Sequence, residues 1–185
     1  MLTVETTAIA GVLILTPKRH GDDRGFFSET FNHKAFAEIG LTQPFVQDNQ
    51  SLSVAAGTVR GLHFQTPPAA QGKLVRALKG AILDVAVDIR RSSPTYGLHV
   101  SAELSAENGR QIWIPPGFAH AFCTLTANTE VFYKVTGYYA PQHDRGIRWN
   151  DPDLAIVWPD CMSPDTLSAK DAVLPGFADL PPWFD

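Results

Sequence analysis

Apolar and polar positions alternate in short runs through most of the chain. Runs rich in β-branched and aromatic residues occur at Gly11–Leu15, Gly25–Phe31, Leu74–Leu78, Ala81–Ile89, Gly97–Leu104, Gln111–Ile114 and Val131–Tyr138, broken by Gly, Pro and Asn. Many short strands at such spacing predict a sandwich or barrel. Helical signals are few: Asn32 caps a short helix through Lys34, Phe36 and Ile39, and Gly40 stops it. There is no strand–helix alternation, no Rossmann fingerprint and no internal repeat. The apolar stretch Ala8–Leu15 reads as an opening strand. From about Pro159 the chain is richer in Pro, Asp and Gly and reads as a tail packed on the barrel, with Trp149, Trp158 and Trp183 as apolar anchors.

Alternation along a strand also shows which side chains point together. Tyr133 shares a face with Val131 and Val135. Asp84 and Asp88 share a face opposite Leu83, Val85, Val87 and Ile89; sequence assigns no role to Asp84, an extra polar group in the barrel. In Val59–Gln65, His63 shares a face with Gly61 and Gln65, and Arg60 falls opposite. For Arg60 and His63 to serve one ligand the strand must bend, which Gly61 permits, or Arg60 must act from the rim.

Composition narrows the function classes. The chain has 185 residues, 44% of them apolar and 18% charged, with a net charge of -4. That suits one folded domain over residues 1–185 and argues against general attraction to nucleic acid or an anionic membrane. The N-terminal segment lacks a basic start and a small-residue cleavage site, and its apolar stretch is too short to span a bilayer. The two cysteines, Cys123 and Cys161, form no CxxC pair. A reducing cytoplasm fits this usage best.

Six stretches carry residues suited to chemistry. His63, in Val59-Arg-Gly-Leu-His-Phe-Gln65, carries an imidazole, a side chain that can take and return a proton. Pro115-Pro-Gly-Phe-Ala-His120 matches the PxGxxH part of the second cupin motif. In metal cupins that histidine is a ligand beside an HxH pair. Here His63-Phe-Gln65 has Gln in place of the second histidine, and two scattered histidines without a nearby carboxylate make a poor metal site. Lys73, in Gln71-Gly-Lys-Leu-Val-Arg76, opens a strand and can stabilise a developing oxyanion; the spacing fails as a phosphate loop. The Tyr133 phenol can donate a proton. In Ser168-Ala-Lys-Asp171, Asp171 can orient a histidine, although the letters read more simply as a helix start capped by Ser168. Finally, Asp23-Arg-Gly-Phe-Phe-Ser-Glu29 can grip a phosphorylated ligand or form an ordinary edge strand. Taken singly, most of these residues also suit a purely structural role.

Their order along the chain is more specific. The succession Arg24-Gly-Phe-Phe-Ser-Glu29, Gln47-Asp-Asn49, Arg60-Gly-Leu-His63, Lys73-Leu-Val-Arg76, Ser93-Pro-Thr95, Ile114-Pro-Pro-Gly-Phe-Ala-His120, Tyr133-Lys134, Trp149-Asn-Asp-Pro152 and Ser168-Ala-Lys-Asp171 closely resembles the dTDP-4-dehydrorhamnose 3,5-epimerase family over nearly the whole chain. The resemblance implies an all-β cupin-type barrel, a jelly roll with a few short helices, that works as a homodimer without a metal or other cofactor. It implies His63 as general base, Asp171 as its dyad partner, Tyr133 as general acid and Lys73 as enolate stabiliser. Arg24, Glu29, Gln47, Asp48, Asn49, Arg60, His120 and Lys170 match nucleotide- or sugar-contacting positions, and Tyr139 the residue that stacks on the base. Asp144 stands where the family often has Glu. Exchange of N-terminal strands in family dimers implies that Arg24, Phe27 and Glu29 serve the partner's site.

The implied substrate is dTDP-4-dehydro-6-deoxy-glucose, whose C4 ketone acidifies the hydrogens at C3 and C5. A monoepimerase, or an enzyme of another deoxysugar nucleotide, shares most of these residues. A metal cupin oxygenase is disfavoured by the missing HxH pair. A non-catalytic sugar-nucleotide-binding cupin is disfavoured by the joint presence of His63, Asp171 and Tyr133, because binding alone needs no acid–base pair.

Overall fold

The computed structural model describes residues 2–185. β1 (Leu2–Thr6) and β2 (Leu13–Pro17) form the first antiparallel pair, so the expected opening strand over Ala8–Leu15 is not one element. Thr7 breaks it: its hydroxyl donates to the carbonyls of Ile9 and Val12 and accepts the N–H of Ile9, and Gly11 takes a φ of +95° in the resulting turn. The short hairpin β3 (His20–Asp22) and β4 (Gly25–Phe27) follows; the run expected to reach Phe31 ends as a strand at Phe27. α1 (His33–Glu38) is capped as the sequence predicts. The Asn32 side chain accepts the N–H groups of Lys34 and Ala35, and Gly40 leaves the helix at a φ of +86°.

Two antiparallel sheets make the jelly roll. One has six strands in the order β1, β2, β10 (Gln111–Ile114), β7 (Lys73–Lys79), β12 (Thr129–Val135) and β5 (Gln47–Ser53). The other has five, in the order β13 (Asp144–Gly146), β6 (Val59–Gln65), β11 (Phe118–Thr124), β8 (Ala81–Asp88) and β9 (His99–Ser105). Side chains from both sheets interdigitate between them: Ile14, Val75, Ile112 and Val131 from the first meet Ile82, Ala86, Leu104, Phe118 and Phe122 from the second.

Each sheet is also covered on its outer face. Phe36 of α1 and Leu41 cover Leu15, Leu74 and Trp113 of the six-stranded sheet. Beyond β13 the chain covers the five-stranded sheet: Ile147, Leu154 and Leu180 pack on Leu62, Phe64, Val85, Val87, Ala119 and Ala121, with Trp158, Phe177, Trp183 and Phe184 around them. This is the tail the sequence predicts. Trp149 departs from that expectation, since it contributes a carbonyl that accepts from the Trp158 indole rather than a ring in the cluster. Four single 3-10 turns, Pro141–His143, Pro164–Thr166, Asp171–Val173 and Phe177–Asp179, complete the short helices.

The double cover explains why β8 is buried on both faces. Val85 and Val87 face the tail, whereas Ile82 and Ala86 face the interior, and Asp84 follows their parity inward. No helix among the described residues is long and apolar enough to cross a membrane.

Candidate active site

A cleft opens between the sheets. Two adjoining cavities of about 340 and 260 Å³ share His63, Lys73, Tyr133 and Lys170. His63 comes from β6 of the five-stranded sheet, and Lys73 and Tyr133 come from β7 and β12 of the six-stranded sheet. Strand parity accounts for all three. Leu62 and Phe64 turn outward to the tail cluster, leaving His63 inward; Val75 and Val131 are core residues, so Lys73 and Tyr133, two positions away on their strands, point the same way.

Arg60 breaks that parity, and the register shows how. His63 opposes His120 and Arg60 opposes Phe122, so β6 uses three steps where β11 uses two. The extra residue is a β-bulge, which turns Arg60 to the cleft side. Gly61 sits in it at a φ of +124°, and a Cβ there would lie 2.5 Å from the His120 carbonyl oxygen. Arg60 lines the larger cavity, with its guanidinium donating to Ser53 Oγ at 3.1 Å and the Leu52 carbonyl at 3.1 Å.

The tail supplies the partner of His63. Asp171 Oδ1 lies 2.6 Å from His63 Nε2, and its N–H donates to Ser168 Oγ at 3.1 Å. The expected helix start is a single 3-10 turn whose cap position is Lys170 rather than Ser168; the serine only accepts the Asp171 N–H, and the carboxylate is left to meet the imidazole. A carboxylate can only accept, so Nε2 carries the proton and Nδ1 is left as the basic nitrogen. Burial raises the Asp171 carboxyl, but hydrogen bonds from His63, Gly61 and Ser168 outweigh it and hold the group below its ordinary range.

A second histidine–carboxylate pair lies deeper. His120 Nε2 is 2.8 Å from Asp84 Oδ2. Burial pushes the His120 pKa down; the charge of Asp84 opposes this, and Lys73 and His63 add to it. Sequence assigned Asp84 no role. Its partner sits on a neighbouring strand, diagonal to it in the β8–β11 register. Desolvation lowers Lys73 to about 8, against the pull of Asp84 and Asp144 and with the push of Lys170. Burial raises Tyr133, with Arg60 pulling it down and Asp144 adding to the rise. Tyr133 therefore stays protonated at neutral pH.

Gln47, Asn49, Tyr139, Asp144 and Lys170 gather at the second cavity. Tyr139 donates its hydroxyl to Asp144 Oδ2 at 3.2 Å, and Lys170 pairs with the same carboxylate oxygen. Gln65 lines this cavity too. Its amide is engaged by main-chain groups of neighbouring loops rather than turned toward His63. Among the described residues no three His, Cys, Asp or Glu side chains are grouped to hold a metal.

Four residues predicted for the site lie elsewhere. Asp48 is on the opposite face of β5 from Gln47 and Asn49 and pairs with Lys134 at 2.7 Å. Arg24 is exposed on the β3–β4 turn and pairs with Asp22. Phe27 and Glu29 line a separate cavity beside α1. None of these four lines the His63 cleft of their own chain.

Comparison with known proteins identifies the family of the chain. A family model described as dTDP-4-dehydrorhamnose 3,5-epimerase matches residues 6–179. The chain is 54% identical over 184 residues to the dTDP-4-dehydrorhamnose 3,5-epimerase of Sinorhizobium fredii, covering 97% of this chain and 92% of that protein. It resembles the crystal structure of the Bacillus anthracis dTDP-4-dehydrorhamnose 3,5-epimerase with TDP and PPi bound, with a TM-score of 0.92, 49% identity, and 95% of this chain and 99% of that one covered. It also resembles the Legionella pneumophila dTDP-6-deoxy-D-glucose-3,5-epimerase in complex with dTDP-4-keto-L-rhamnose, with a TM-score of 0.92, 46% identity, and 98% and 95% covered.

Proposed function

Because the chain belongs to the dTDP-4-dehydrorhamnose 3,5-epimerase family, we propose that its cleft inverts C3 and C5 of dTDP-4-dehydro-6-deoxy-glucose, giving dTDP-4-dehydro-rhamnose. The observation that carries the mechanism is the placement of His63 and Tyr133 on opposite sheets of one cleft. Inversion needs a proton removed from one face of a carbon and another delivered to the opposite face. His63 Nδ1 takes the proton next to the C4 ketone. The C–H bonding pair becomes a C=C bond, and the carbonyl π pair moves onto oxygen as an enolate. The Lys73 ammonium stabilises that oxygen electrostatically. The enolate then collapses, and Tyr133 delivers its phenolic proton to the other face.

The two pairs divide the work. Asp171 holds the His63 tautomer and stabilises the imidazolium that forms. His120 is neutral at pH 7, because burial has lowered a pKa that begins at 6.5. With its Nε2 proton directed at Asp84, Nδ1 is an acceptor. It suits a sugar hydroxyl, so enolate stabilisation rests on Lys73 rather than on both residues.

Lys170 and the Tyr139 ring form the nucleotide end of the cleft, with Tyr139 the surface for the base, and Arg60 offers its charge to the diphosphate from the adjoining cavity. Arg24, Phe27 and Glu29 act on a partner subunit's cleft in a homodimer that exchanges N-terminal strands. Two things support this: they lie away from their own cleft, and Phe26 and Phe27 are 60% and 70% exposed on the hairpin.

The test is incubation with dTDP-4-dehydro-6-deoxy-glucose in deuterated water, following C3 and C5 by NMR. Deuterium enters at both carbons, because the acid and base exchange protons with solvent between turnovers. Exchange at one carbon alone indicates a monoepimerase instead.

A further inference from the structure

Gln65 is 5% exposed, and its side-chain amide is committed at both ends. Nε2 donates to the Ala69 carbonyl at 2.7 Å and the Tyr138 carbonyl at 3.1 Å, and Oε1 accepts the Ala140 N–H at 2.7 Å. Residues 138 and 140 flank Tyr139. The Tyr139 N–H is itself held by Gln47 Oε1 at 3.0 Å. The two peptide units that flank Tyr139 are therefore fixed by amides from opposite sheets, Gln47 on β5 and Gln65 on β6. Tyr139 is 58% exposed and its side chain is tied only at its tip, by the hydroxyl bond to Asp144, so packing does little to place the ring. An exposed ring on a free loop would sample many positions, and ordering it would oppose binding. Here the order is imposed from the main chain before a ligand arrives.

We propose that Gln65 is a positioning residue for the nucleotide half of the substrate. It sets the Tyr139 ring as a preorganised wall for the planar base and acts on affinity rather than on proton transfer. This rests on the nucleotide-sugar reading above. None of the Gln65 contacts goes to His63, Lys73 or Tyr133, so the chemistry is insulated from it.

Gln65→Glu keeps the length and the acceptor, removes both N–H donors, and sets a carboxylate against two carbonyls. In the folded variant, KM and the calorimetric Kd for dTDP rise roughly tenfold while kcat stays within about twofold. In a Tyr139→Ala background the same change leaves dTDP affinity unaltered, because the wall it positions is gone. A fall in kcat at constant KM, an unaltered Kd, or a full effect that persists without Tyr139 overturns the proposal. If Gln65→Glu does not fold, Gln65→Met is measured in the same way. Wild type that binds dTDP but exchanges neither sugar hydrogen overturns the epimerase reading and leaves the Gln65 test standing. Wild type that binds no dTDP overturns the Gln65 proposal.

Discussion

Two histidine–carboxylate pairs reach the same cleft from paired strands, His63–Asp171 at 2.6 Å and His120–Asp84 at 2.8 Å. The bond is nearly the same; the surroundings differ. The His63 side chain is 30% exposed and its carboxylate comes from a turn of the tail. The His120 side chain is 7% exposed and its carboxylate, on β8, is wholly buried. An imidazole that must gain a positive charge during turnover needs a compensating charge and access to water. His63 has both. His120 pays for burial in basicity, so it stays neutral and serves as a fixed hydrogen-bonding group. On the proposed mechanism, the same pair of side chains thus serves as a base or as a binding group according to burial.

The sharpest way to break this contrast is to remove each histidine. His63→Ala lowers exchange at both carbons by about a hundred- to ten-thousandfold, read by NMR in deuterated water. If His120 removal costs as much, the division of work is wrong. Between these extremes lies Lys73. Its charge is present below about pH 8 and lost above it, so kcat falls on the alkaline side, and Lys73→Met lowers kcat roughly a hundredfold and abolishes that limb. A pH–rate profile with an unchanged alkaline limb in Lys73→Met assigns the limb to another group. His120→Asn gives the smallest effect, a roughly tenfold rise in KM with most of kcat kept, measured by steady-state kinetics.

Local rules carried much of this architecture in the sequence. Asn32 and Gly40 bound α1, and the parity of Val131–Val135 aims Tyr133 inward. What escaped depended on distant partners. The Asp171 carboxylate meets a histidine 108 positions away, so its letters favoured the local cap. The Arg60 bend was readable as a condition, but the bulge that meets it is set by the register with β11. Asp48 was placed among the ligand-contacting positions by resemblance, whereas alternation with Gln47 and Asn49 puts it on the far face beside Lys134. Gln65 reads in the sequence as standing in place of the second histidine of a metal pair and as sharing a face with His63; its loop contacts require the fold.

The tail's contribution to the site also gives the protein a timetable. Polypeptides are made from the N-terminus, and domains begin folding as they emerge. A growing chain that has completed β13 at Gly146 has His63, Lys73 and Tyr133 but not yet the carboxylate of Asp171 or the ammonium of Lys170. The proposed base thus precedes its orienting group in time, and the dyad is complete only once the tail has been made and docked.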